Sequence, residues 1–258
     1  MTRRRILLAW SSGKDSAWSL HVLRQREDVE VVGLLTTLSQ AYDRVAMHAV
    51  RRVLLEAQGE AAGLPLHTVS IPSPCSNEQY EAAMGEAVAR ARDEGVQGIA
   101  FGDLFLEDVR RYRERQMAPT GLECVFPLWQ RPTALLAREM IAGGLRAHLT
   151  CVDPRALPAS FAGRPFDAAL LADLPPGVDP CGENGEFHTF AGDGPMFRTP
   201  VPVHIGEVVE RDGFVFADLL PDGFTDSTQR AQRSAETAED GGSRSGRREG
   251  QRPSVESV

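Results

Sequence analysis

Short apolar runs and helical stripes take turns along the first half of the chain. Residues 6–10 form a continuous apolar run, as expected of a strand buried on both faces, and residues 17–26 follow at helical spacing. Residues 29–37, apolar and β-branched, predict a second strand. Ala46, Val50, Val53, Leu54 and Ala57 then recur at the period of one helix face. Residues 66–71 predict a third strand, Tyr80, Met84, Ala87, Val88 and Ala91 another helical stripe, and residues 98–102 a fourth strand. Strand and helix in alternation predict βαβ units, hence an α/β fold with a doubly wound parallel sheet.

Past Pro127 the texture changes. A helix over 135–141 and a strand over 147–152 come first; then Pro154, Pro158, Pro165, Pro175, Pro176 and Pro180 cut the chain into short pieces. Residues 205–210 and 214–219 flank Asp212-Gly213, a pair that tolerates positive φ at both central positions of a hairpin turn. From about Asp222 the chain is mostly Ser, Arg, Glu, Gly, Asp and Gln, with no aromatic after Phe224, too little apolar surface to offset the entropy of ordering. The expected organisation is a first domain over 1–130, a smaller C-terminal α/β domain over 131–222 and a disordered tail over 223–258.

Composition narrows the partners. The 258 residues are 42% hydrophobic and 25% charged, ordinary for a globular protein, and the net charge of −8 argues against nucleic acid as a partner. No apolar run is long enough to span a membrane, and the basic start precedes an apolar stretch too short for a secretory signal. Cys75, Cys124, Cys151 and Cys181 are widely spaced and form no C-x-x-C pair, which fits reduced thiols better than a disulfide framework or a zinc site. A cytoplasmic protein is expected, with room for a homodimer. Of 28 basic residues all but one are arginine, and the exception is Lys14.

Lys14 belongs to Ser11-Ser12-Gly13-Lys14-Asp15-Ser16, between a predicted buried strand and a predicted helix. Such a turn offers backbone N–H groups and the positive end of a helix dipole to an anion, and a compact ammonium fits among phosphate oxygens where a planar guanidinium does not. A Walker loop would place glycine at position 8 and Ser or Thr at position 15; Leu8 and Asp15 exclude it. The stretch resembles instead the PP-loop, S-G-G-x-D-S, of the N-type ATP pyrophosphatases, with Ser12 at the second position. That resemblance implies a Rossmann-like sheet of the HUP/PP-loop type, ATP held over Ser11, Ser12, Gly13, Lys14, Asp15 and Ser16, and cleavage between the α and β phosphates. The plain alternative is a polar turn capping a helix. The next strand end borders such a site, so main-chain groups of Leu35, Thr36 and Thr37 are expected to read adenine. Asp15 beside phosphates calls for a bridging cation, so Mg²⁺ is expected, with Asp15 as ligand or loop brace.

Residues 182–190 read Gly182-Glu183-Asn184-Gly185-Glu186-Phe187-His188-Thr189-Phe190. Two carboxylates and a histidine on a glycine-loosened loop perturb one another's pKa, as acid/base and metal sites require; a solvated polar loop is the alternative. G-E-x-G-E-[FY]-H-T-F, some 170 residues after S-x-G-K-D-S, resembles the diphthine–ammonia ligase family and its bacterial relatives. Phe101-Gly102-Asp103-Leu104, Phe126-Pro127-Leu128-Trp129, Gly143-Gly144-Leu145 with Ala147-His148-Leu149, and Asp193-Gly194-Pro195-Met196-Phe197 are similar to further family segments, so the likeness spans about 5–220. Asn184 stands where glycine is common in that family.

The resemblance implies a ligase that adenylates a substrate carboxylate, releases pyrophosphate and lets ammonia displace AMP to leave an amide. Lys14, Asp15, Glu183, Glu186 and His188 are then the catalytic candidates, and Gly102 and Asp103 join the ATP site. Gly182, Glu183, Gly185, Glu186, His188 and Thr189 would hold the acceptor, a small molecule or protein side chain bearing a carboxylate. No glutaminase-like segment is present, so ammonia would arrive free or from a partner. In a bacterial host, which lacks diphthine, the acceptor would be another carboxylate. Two further readings stay open: another adenylating PP-loop enzyme such as a tRNA-base modifier, and a non-catalytic ATP- or AMP-binding module.

Overall fold

Residues 6–10 are apolar without a break because the strand they form is covered on both faces. Ile6, Leu8 and Trp10 enter one hydrophobic core, while Leu7 and Ala9 enter a second on the other side of the sheet. The computed structural model describes residues 2–40, 44–45, 50–72 and 74–223. Ala46 of the predicted helix face and the expected tail from residue 224 onward lie outside these residues.

The elements run β1 (Arg4–Ala9), α1 (Lys14–Arg24), β2 (Val29–Ser39), β3 (Arg44–Val45), α2 (Arg52–Ala62), β4 (Leu66–Ile71), α3 (Asn77–Asp93), β5 (Gly98–Ala100), α4 (Glu107–Met117), β6 (Glu123–Val125), α5 (Thr133–Ala142), β7 (Arg146–Val152), α6 (Ala168–Asp173), β8 (Phe187–Asp193), β9 (Val203–Arg211) and β10 (Phe214–Pro221). In the first sheet β4, β2, β1, β5 and β6 lie side by side in parallel, with β3 antiparallel on β2. The chain winds outward from β1 to β2 and β4, then returns to β5 on the other side of β1. The strand order therefore reverses at β1 and β5, where ligands of open α/β sheets bind beyond the strand ends. The doubly wound expectation holds. The second sheet is smaller and antiparallel, ordered β8-β7-β10-β9.

Differences from the sequence reading are local. The predicted fourth strand stops at Ala100, leaving Phe101, Gly102 and Asp103 as a loop. Helix α4 carries too many charges for an apolar stripe, and only Arg113 and Met117 of it are buried, which is why its periodicity was silent. Residues 187–190, expected as part of a loop, open β8, which runs to Asp193 and pairs with β7. The hairpin of β9 and β10 turns at Asp212 and Gly213, with φ of 52° and 80°. Helix α3 begins with a capping box in which Ser76 Oγ accepts from the Gln79 N–H at 3.2 Å and Gln79 Oε1 from the Ser76 N–H at 3.0 Å.

The two sheets share the larger core, which takes in Leu149, Phe187, Phe190 and Leu219 of the second sheet along with Ile6 and Leu8 of the first. An ionic clamp reinforces this junction. Asp218 of β10 accepts from Arg44 Nη1 at 2.9 Å and from Arg51 through Nε at 3.1 Å and Nη2 at 2.5 Å. Burial alone would raise the Asp218 carboxyl; the Arg51 and Arg44 bonds overturn that and hold its pKa below the ordinary 3.8. Asp218→Ala should therefore cost about 2–3 kcal/mol of unfolding free energy at neutral pH, measured by urea unfolding. Because the folded pKa is depressed, the contribution is present above the unfolded value and disappears as pH falls through the folded one. Wild type and variant should converge in acid; a gap that persists there would show packing, not charge, to be its source.

Candidate active site

The loop between β1 and α1 makes its turn at a cost. Ser12 has φ of +67°, a left-handed conformation that favours glycine, and is fully buried. Its strained carbonyl is well used: it accepts from the Ala191 N–H at 2.9 Å and from Gln58 Nε2 at 3.0 Å. The same Gln58 amide donates to Ala191 O at 2.7 Å and accepts from Trp10 Nε1 at 2.9 Å, so a buried side chain satisfied on both ends ties the loop to β8. Helix α1 then starts at Lys14 with Gly13 as N-cap, a residue with no side chain to cap it. The Lys14 N–H reaches Thr189 Oγ1 at 3.0 Å.

A cavity open to solvent lies over this helix end. It brings together Ser11, Gly13, Lys14, Asp15 and Ser16 with Gly102 and Asp103 after β5, and with Gly182, Glu183, Gly185, His188 and Thr189. Two sequence motifs some 170 residues apart thus face one space. Gly102 permits the close approach, since a Cβ there would stand 3.2 Å from the Asp15 and Ser16 backbone. Gly182 has φ of +70°, and a Cβ on it would lie 2.8 Å from Phe187 O, so the turn into β8 admits only glycine at that point.

Lys14 is itself the joint. Its Nζ bonds to Asp15 Oδ2 at 2.7 Å and to the Cys181 carbonyl, with the Phe187 and Phe166 ring centroids at 5.4 and 5.7 Å. Burial penalises the ammonium most, but the charge and hydrogen bond of Asp15, with smaller contributions from Cys181 and Glu183, together lift its pKa above the ordinary lysine value. Glu183 is pushed up to about 8, first by burial and then by the Asp15 carboxylate, although its Oε1 accepts from the Leu104 N–H at 2.7 Å. His188 is lowered to about 4 by burial and by Lys14, so it is neutral at pH 7.

Not every expected residue lines the cavity. Glu186 is buried within its own turn, where it accepts from the Asp179 N–H at 3.0 Å, the Asn184 N–H at 2.9 Å and Asn184 Nδ2 at 2.9 Å. Asn184, in a place where glycine is common, thereby braces that carboxylate. Ser12 lies beneath the cavity. Leu35, Thr36 and Thr37 are buried in β2. There β1 and β3 share one edge of β2 and β4 holds the other; β1 ends opposite Leu35 and β3 begins at Leu38, so Thr36 and Thr37 have a strand partner on the β4 side alone. Arg113, Phe101, Phe187 and Cys181 line the cavity and were not foreseen. Arg113 gave no signal, being one arginine among many on a charged helix. Asp179, whose Oδ2 accepts from the Cys181 and Glu183 N–H groups at 3.2 and 3.0 Å, sits before a proline in turn-forming sequence, a sign that was available.

The raised pKa of Glu183 has a measurable consequence. Between its ordinary 4.5 and about 8 the folded protein holds a proton that the unfolded chain has released, so stability falls as pH rises through that window. The slope from this group is at most about 1.4 kcal/mol per pH unit. Glu183→Gln should flatten the profile of urea-unfolding free energy between these limits. An unchanged slope would place the titrating group elsewhere.

Both halves of the chain resemble known proteins. Residues 4–124 match the diphthamide synthase N-terminal domain and residues 132–216 the diphthamide synthase C-terminal domain. The chain is 28% identical over 242 residues to the diphthine–ammonia ligases of Bos taurus and Homo sapiens, covering 83% of this chain and 88% of each relative. The diphthine–ammonia ligase of Danio rerio is 29% identical over 241 residues, covering 85% of this chain and 93% of that protein. With both halves matched along most of its length, the chain belongs to the diphthine–ammonia ligase family.

Proposed function

We propose that this protein is an ATP-dependent ligase that joins ammonia to a substrate carboxylate by way of an acyl-adenylate. The observation that carries the reading is the shared cavity: the N-terminal turn of α1 with Lys14, together with Glu183 and His188, borders it. The family and its named relatives support the ligase class; the adenylation route is inferred from the residues and the PP-loop resemblance. Triphosphate would lie over residues 11–16, where helix N–H groups and serine hydroxyls stabilise negative charge. Adenine would reach the main chain of Thr36 and Thr37, the stretch of β2 that β1 and β3 leave unpaired.

A substrate carboxylate oxygen attacks the α-phosphorus, the bond to the bridging oxygen breaks, and pyrophosphate leaves. Ammonia then attacks the acyl carbon, AMP departs, and the proton lost from nitrogen passes to a base. His188, neutral at pH 7, is competent to accept it, while Glu183, largely protonated, can donate a hydrogen bond to an oxyanion. Lys14 holds the two motifs in register through the Cys181 carbonyl. Glu186 acts through the turn that positions Glu183 and is a positioning residue.

The residues also fit a divalent cation. Asp15 Oδ1 and Asp103 Oδ2 are buried and accept no hydrogen bond, and both residues border the cavity. Among the described residues no group of three or more His, Cys, Asp or Glu could hold a metal alone, so phosphate oxygens and water would complete the shell. Bound there, Mg²⁺ would neutralise phosphate charge.

Two variants test the reading, with AMP and amide followed by mass in the presence of ATP, ammonium and host extract. Lys14→Arg should lower AMP formation at least about 10²-fold, because a planar guanidinium overfills the space between Phe166, Phe187 and the Cys181 carbonyl. His188→Ala should bind ATP nearly as wild type does yet lose about 10²–10⁴ in turnover. ADP in place of AMP as the product would overturn the proposal.

A further inference from the structure

Helix α2 buries Leu54, Leu55, Gln58, Ala61 and Ala62, and one residue of that stripe is out of character. Gln58 is fully buried on an apolar face, where an amide is costly unless its polar atoms find partners. Both of them do. Oε1 accepts from Trp10 Nε1 at 2.9 Å, and Nε2 donates to Ser12 O at 3.0 Å and to Ala191 O at 2.7 Å. None of these bonds serves α2 itself; all of them hold the end of β1, the loop after it and β8.

The bond to Ser12 bears on the cavity through peptide geometry. Ser11 and Gly13 border the cavity, while Ser12 between them is fully buried with φ of +67°. A trans peptide is planar, with its C=O and N–H pointing opposite ways. The Ser12 carbonyl is turned inward, to Gln58 Nε2 and the Ala191 N–H. The Gly13 N–H of the same peptide is therefore turned away from them, and it meets Ser11 Oγ at 3.4 Å. That distance is beyond the usual range for N–H···O, so the donor keeps most of its capacity for a better acceptor. Gln58 stands behind the loop and does not line the cavity.

We propose that Gln58 is a positioning residue for the triphosphate: by holding the Ser12 carbonyl inward, it keeps the Gly13 N–H set to donate to a phosphate oxygen. The assignment rests on the ligase reading above and adds to it a residue that never touches the nucleotide. The bond it prepares is charge-assisted, the stronger class of hydrogen bond, and appears only when phosphate is present.

The test uses the full-length protein, with α,β-methylene-ATP titrated calorimetrically and amide hydrogen exchange followed without ligand. Gln58→Met keeps the volume but donates nothing, and should weaken the analogue at least about tenfold. Gln58→Glu keeps the acceptor for Trp10 and, protonated in its buried place, one donor for two carbonyls. It should weaken the analogue at least about threefold, and it carries the test should Gln58→Met not fold. Leu55→Ala opens a cavity on the same helix and lowers stability to urea, yet should leave analogue affinity within about twofold of wild type. Without ligand, the Ala191 amide, which donates to the Ser12 carbonyl, should exchange at least about tenfold faster in the Gln58 variants. That gain should exceed any at the Leu34 amide, which donates to Pro65 O at 2.9 Å in the first sheet. Wild-type affinity in a folded Gln58 variant, an equal loss in Leu55→Ala, or exchange at Ala191 that moves only in step with Leu34 would overturn the assignment. Failure of the analogue to bind wild type would instead sink the ligase reading, and the exchange comparison would still decide whether Gln58 holds the loop.

Discussion

A lysine ammonium that is almost wholly buried must find its hydrogen-bond partners inside the protein, and much of the site's geometry follows from where Lys14 finds them. One is Asp15, next in the chain; the other is the carbonyl of Cys181, which belongs to the turn before β8. The ammonium therefore needs both motifs in contact, and the contact is supported on each side by neutral bonds: Lys14 N–H to Thr189, Ala191 N–H to Ser12, and Gln58 to both strands of backbone. Removing any member leaves a buried polar group without its partner, a penalty of about 1–3 kcal/mol and more for a charge. The 11–16 motif and the 182–190 motif are in this sense one site, and a division of labour that assigns Lys14 to one half alone does not describe it.

The same ammonium organises the charges around it. Asp15, Asp103, Asp179 and Glu183 converge near one cation, and so many carboxylates cannot all stay ionised at low dielectric. Burial lifts the Asp15 carboxyl against the pull of the Lys14 ammonium bonded to it. Glu183, buried beside Asp15, holds its proton to about pH 8. A neutral carboxyl and a neutral imidazole thus stand beside a cation, a combination suited to receiving a polyanion and to moving one proton.

The sequence made some levels of this architecture readable and others not. Strands buried on both faces announce themselves as unbroken apolar runs, so β1, β2 and β4 were legible, and the alternation with helices carried the parallel sheet. The 11–16 loop was legible as chemistry because Lys14 stands out against arginine everywhere else. Helix α4 was not, since only Arg113 and Met117 of it are buried and neither makes a period. With α4 unseen, Arg113 and the pocket beside it had no address. Glu186 shows the opposite error: a carboxylate in a motif invites a chemical role, yet three hydrogen bonds from its own turn commit it to holding backbone. Residue type announces what a group could do, while direction comes from backbone geometry set by glycines and by β8.

Why a doubly wound sheet serves this chemistry follows from its two faces. One core, shared with the second sheet, carries the Lys14 joint; the other, under α3 and α4, borders a second pocket. β5 has three residues and stops at Ala100, and Phe101 just beyond it, with Arg113 of α4, borders both cavities. Adding even two residues to that strand would carry Gly102 into the sheet and withdraw the loop that now touches the first turn of α1. The brevity of β5, which reads in sequence as an imprecise boundary, is the feature that frees the loop of Gly102 and Asp103 to meet the first turn of α1.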